Sequence, residues 1–87
     1  MMPKKLEMTN AALLGRIIQF HRTVAGLSRI ELAQVAGVGK TAIFDIEKGK
    51  PTIQLNTLFK LLHALNITLH LDSPLMARFE DSENATS

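Results

Sequence analysis

The chain has no cysteine. That removes disulfide staples, thiolate zinc sites and a thiol nucleophile together. No apolar run approaches the length of a membrane span. Lys4 and Lys5 are not followed by an apolar stretch of the kind a secretory signal needs. The expected compartment is therefore the cytoplasm. Internal repeats are not visible. His21, His63 and His70 stand far apart, without the spacing of metal ligands. No Ser-His-Asp set assembles around them. The expectation is a chain that is not an enzyme, with no cofactor, no metal and no small-molecule ligand. Residues 79–87 lack any base and hold Glu80, Asp81 and Glu83. Residues 1–78 therefore carry all ten bases against five acids. A modestly basic body suits a polyanionic partner, although many ordinary domains are equally basic.

What is present is enough apolar matter for one small core: 46% of 87 residues. The chain is organised around residues 28–50, SRIELAQVAGVGKTAIFDIEKGK. Ser28 and Glu31 have the spacing of a capping box, which marks a helix start. Leu32, Ala33 and Ala36 recur at helical spacing, and Gly37 stops that helix. A second helix is predicted from about Lys40, with Ile43, Ile46 and Glu47 on one side, ending at Gly49. Two short helices joined by a glycine turn make a helix-turn-helix, whose second helix can enter the DNA major groove.

The flanks complete a small all-α bundle. Thr9 or Asn10 can cap a first helix to about Ala25, with an apolar face of Leu13, Leu14, Ile17, Ile18, His21 and Val24. Pro51 breaks the chain after Lys50. Leu55, Leu58, Phe59, Leu62 and Leu65 define a helix whose apolar residues extend almost all round it. One side would face the core and the other a subunit interface. At Asn66 the period changes: Ile67, Leu69 and Leu71 alternate with Thr68, His70 and Asp72. That pattern predicts a strand. A lone strand cannot satisfy its own ladder, so its expected partner is the same strand of a second copy, antiparallel across a two-fold axis. The expected organisation is a flexible N-terminus at 1–8, a DNA-binding domain at 9–66, a dimerisation strand at 67–73 and a disordered acidic tail at 74–87.

Residues 14–65 resemble the Cro/C1-type helix-turn-helix family of repressors. The residues that carry this are Leu32-Ala33, Gly37-Val38, Ile43, Ile46-Glu47, Gly49-Lys50 and Thr57-Leu58. The continuation LNTLFKLLHALNITLHL is similar to the last helix and C-terminal strand of the HipB antitoxins. The resemblance implies a four- or five-helix bundle with a C-terminal strand paired across a dimer. It implies a repressor of its own operon that binds double-stranded operator DNA and holds a HipA-like Ser/Thr kinase toxin. It also implies that Arg22 and Glu47 form an ion pair linking the first helix to the end of the second helix of the motif. Where the family usually opens its recognition helix with Ser, Thr or Lys and keeps small polar residues within it, this chain has Gly39 and Phe44. The operator sequence therefore does not carry over. Two rivals remain: a solitary phage-type repressor, and a protein-binding adaptor that uses the exposed strand by β-augmentation.

Gly39-Lys40-Thr41 imitates the end of a Walker A loop, but the required earlier glycine is Gln34 and a helix precedes it. The same residues suit DNA better. Lys40, Thr41, Phe44 and Asp45 lie on the outward arc of the second helix, away from Ile43 and Ile46. Lys40 could reach guanine, Phe44 thymine methyl groups and Asp45 cytosine N4. Asp45 could equally pair with Lys48. Arg29, Lys48 and Lys50 flank that helix where phosphates would pass. Ser28, Gly39 and the amides at the two helix starts add neutral donors.

Overall fold

The structure is a computed structural model that describes residues 6–86. Five helices follow one another: α1 (Ala11–Val24), α2 (Arg29–Ala36), α3 (Lys40–Glu47), α4 (Leu55–Ala64) and α5 (Met76–Thr86). The chain is all-helical among the described residues. The expected flexible segment at 1–8 falls largely outside them.

Several helix ends have a local cause. Asn10 caps α1, its side chain accepting from the Leu13 amide at 2.8 Å. Ser28 and Glu31 form the reciprocal capping box of α2. Gly37, at φ 74°, closes α2 in the left-handed region. α4 ends at Leu65, and Asn66 then takes φ 57°. The Asn66 amide bonds to the His63 carbonyl and the Ile67 amide to the Leu62 carbonyl. This is a Schellman closure with asparagine where glycine is usual. The change of sequence period at Asn66 is thus a helix stop.

α1, α2, α3 and α4 close around Ile18, Leu32, Ala33, Ile43, Ile46, Leu58, Leu61, Leu62 and Leu65. Fully burying each large aliphatic side chain contributes about 1.5–3 kcal/mol. α1 crosses α3 closely because Gly15 has no side chain. A Cβ built there would run into the Ile46 carbonyl oxygen. The buried line of α1 is Gly15, Ile18 and Arg22, rotated from the face that the periodicity marks. Val24, expected on the apolar face, is exposed.

Two expectations about the C-terminal part differ from the structure. Residues 67–73 have no regular secondary structure. A strand needs a ladder, and the described residues of a single chain offer no second strand to supply one. The tail expected to be disordered is largely helical, as α5. Residues 77–84 are all exposed, so packing adds little to this stretch of α5. The acidic, polar composition of the tail did not signal this local helix.

Candidate nucleic-acid interface

The core fixes α3 by one side. Ile43 and Ile46 are buried, which turns Lys40, Thr41 and Phe44 outward on the opposite arc. Lys40 and Thr41 are exposed, and Phe44 keeps 39% of its surface. Gly39 sits at the N-cap of α3, and no side chain caps the helix there. The first-turn amides of α3 therefore face outward without a side-chain acceptor. At the start of α2 the corresponding position is filled, since Ser28 accepts from the Glu31 amide at 3.0 Å. Its hydroxyl oxygen is engaged, while the residue stays exposed.

The end of α3 is anchored by charge. Arg22 Nε donates to Glu47 Oε2 at 2.6 Å and Arg22 Nη2 to Oε1 at 3.1 Å. Arg22 Nη1 donates to the Leu27 carbonyl at 2.9 Å. The Arg22 and Glu47 side chains are only 9% and 3% exposed. A bidentate pair removed from water is strong when every polar atom is satisfied, and no buried side-chain polar atom among the described residues lacks a partner. The pair joins α1 to the last residue of α3 and ties in the turn before α2.

Arg29 joins the same carboxylate. Its Nε donates to Glu47 Oε1 at 2.9 Å, and its guanidinium lies over the Phe44 ring, 4.9 Å from the centroid. The sequence places Arg29 among the charges flanking the helix and Phe44 on its outward arc, with no contact expected between them. The structure instead packs the two against each other. Nothing in the spacing of positions 29, 44 and 47 signals this, because the contact depends on how α2 crosses α3.

Asp45 belongs to another edge. Its Oδ2 lies 3.6 Å from Lys50 Nζ, so its partner is Lys50 and not Lys48. The Schellman closure at Gly49 accounts for this: the Lys50 amide bonds back to the Asp45 carbonyl and brings the two side chains together. With Ala42, Thr52, Ile53, Gln54 and Thr57, these two residues line a shallow notch between α3 and the start of α4. Thr52, Gln54 and Thr57 are polar groups beside the groove helix that sequence reasoning passed over. Lys48 is exposed and has no ion pair among the described residues. One surface thus gathers Lys40, Thr41, Phe44 and Lys48, with Arg29 and the Asp45–Lys50 pair on its margins.

Ile67, Leu69 and Leu71 do not join this surface. Ile67 packs against the core, while Leu69 and Leu71 line an apolar groove with Leu55 and Phe59 of α4. Elsewhere among the described residues, no group of acids and histidines could hold a metal ion. No helix there is long and apolar enough to cross a membrane.

The helix-turn-helix family model matches residues 22–71. The HTH-type transcriptional regulator y4mF of Sinorhizobium fredii is 36% identical over 61 residues, which cover 70% of this chain and 80% of that protein. A chain of the HipA-HipB-O2-O3 complex superposes with a TM-score of 0.72 at 23% identity, covering 80% of this chain and 99% of that one. The restriction-modification controller protein C.AhdI of Aeromonas hydrophila gives a TM-score of 0.61 at 29% identity, covering 67% of this chain and 88% of that one. The HipB likeness speaks for the fold, and the family match and the y4mF kinship speak for descent. The chain belongs to the Cro/C1-type helix-turn-helix family of DNA-binding transcriptional regulators.

Proposed function

We propose that this chain is a HipB-like antitoxin: a dimeric repressor of its own operon that also holds a HipA-like Ser/Thr kinase. The observation that carries the DNA-binding part is the outward arc of α3, where Lys40, Thr41 and Phe44 project from a helix fixed by Ile43, Ile46 and Glu47. In the major groove Lys40 would donate to guanine O6 or N7, and Phe44 would cover thymine methyl groups. Lys48, Lys50 and the outer edge of Arg29 would meet phosphates, with Ser28 and the amides after Gly39 as neutral donors. Asp45 is better placed to hold Lys50 than to read cytosine.

Support for the dimer comes from the groove of Leu55, Phe59, Leu69 and Leu71. Leu71 is 80% exposed and Leu55 63%, a costly display of apolar surface for a lone chain. Antiparallel pairing of 67–71 across a two-fold axis would cover the groove and supply the missing ladder. Support for the antitoxin part is the extent of the HipB likeness, which runs over nearly the whole length of that chain, beyond the helix-turn-helix itself. A second reading, a controller without a toxin, is favoured by the higher identity to C.AhdI.

The test has two arms. Promoter DNA from upstream of its own gene should be bound by the dimer, with affinity falling steeply between 50 and 200 mM salt, by about 10³–10⁵ if six to ten phosphates are contacted. Co-expression with the neighbouring gene product should yield a stable complex containing a kinase fold. Salt-insensitive duplex binding would favour the adaptor reading. Promoter binding without any such complex would favour the controller.

A further inference from the structure

Arg29 links α2 to two different parts of α3. Its backbone opens α2. Its Nε is held by Glu47 at the end of α3, on the carboxylate that also holds Arg22. Its guanidinium carbon lies over the Phe44 ring in the middle of α3, 4.9 Å from the centroid. The side chain is 38% exposed, so part of the guanidinium still faces solvent.

A phenyl ring on a helix surface can occupy more than one rotamer, and only one would aim it at a base edge. An arginine laid on the ring restricts that choice, but only if the arginine is itself held. Glu47 does this, and Glu47 is in turn fixed by a buried arginine. The chain Arg22–Glu47–Arg29–Phe44 therefore runs from the core to the exposed arc of α3. Lysine could keep the charge and an ion pair, but not the planar face or the fixed fork of donors.

We propose that Arg29 is a positioning residue for base reading. Tethered by Glu47 and set over the Phe44 ring, it holds the ring in its groove-facing orientation. This rests on the reading of α3 as the groove helix and adds to it how the ring is aimed. The plain alternatives are a phosphate contact through charge alone and a structural ion pair alone.

The experiment uses a duplex selected by the full chain from a random-sequence library, with each thymine replaced singly by uracil. In the wild type at least one thymine per half-site should prove sensitive, with uracil weakening binding about fourfold, the value of one buried methyl group. Arg29→Lys should bring that ratio below twofold while the salt dependence stays as in the wild type. Arg29→Met, which has neither the charge nor the tether to Glu47, should also bring the ratio below twofold and, unlike lysine, lower the log–log salt slope by about one per half-site. In the free protein the Arg29 Nε–H proton resonance should be shifted upfield by the ring, and should lose that shift in Phe44→Leu. Thymine discrimination preserved in Arg29→Lys would overturn the proposal, since charge or an ion pair alone would then suffice. So would a wild type indifferent to uracil, or an Nε–H resonance unmoved by Phe44→Leu. Each of these leaves DNA binding by α3 standing. If the library yields no duplex at all, the reading of α3 falls and the positioning role falls with it.

Discussion

Glu47 carries more of the structure than its place on an amphipathic helix suggests. It accepts from two arginines, and its side chain is 3% exposed. Removing it leaves Arg22 buried beside only the Leu27 carbonyl. Glu47→Leu should therefore cost about 3–5 kcal/mol in chemical denaturation. The double replacement Arg22→Met with Glu47→Leu should cost less, because no unpaired charge is left inside and Arg29 can turn to water. Ser28 gives a pH signature. Its hydrogen bonds with Glu31, the backbone one first, hold that carboxyl below its ordinary value. A group whose folded value is depressed stabilises above its unfolded value, and the effect fades as pH falls through the folded one. The melting-temperature gap between wild type and Glu31→Gln should thus be widest at neutral pH and narrow below the carboxylate range. A gap that stays constant into acid would mean that Glu31 does not share in the cap.

Local signals made the elements readable: the Ser28–Glu31 box, Gly37, Pro51 and the apolar spacing of Ile43 and Ile46 each act within a turn or two of chain. What depended on helix crossings was not readable in the same way. Gly15 stands inside a helix, where glycine costs about 1 kcal/mol relative to alanine, and only the approach of α3 explains it. Gly15→Ala should destabilise the domain despite its better helix propensity, because the added methyl group meets the backbone of Ile46. Thermal unfolding checks the sign, and a stabilised variant would mean that α1 and α3 are farther apart. The ion pair of Arg22 and Glu47 came from family resemblance, since a separation of 25 positions carries no pattern of its own. The contact of Arg29 with Phe44 had no such precedent and emerged only with the fold. At 67–71 the alternation is real, but its realisation as a strand needs a ladder partner that the described residues of one chain do not supply.

For the whole molecule, the two surfaces make separate demands. Under the proposed function a second copy would cover the groove of Leu55, Phe59, Leu69 and Leu71, and DNA would meet the arc of α3. Leu69→Asp with Leu71→Asp should give a folded monomer in sedimentation, with helical circular dichroism kept and operator affinity much reduced. Dimers that survive the change would remove the groove from the interface. The claim on which the rest depends is that the outward arc of α3 enters the major groove. Its most direct measurement is a map of amide and side-chain resonances as the selected duplex is added. The expected result is large shifts at Lys40, Thr41, Phe44 and Lys48, with smaller ones at Ser28 and Arg29 and none along α5. Shifts confined to Leu55, Phe59 and 67–71, with α3 unmoved, would contradict the account.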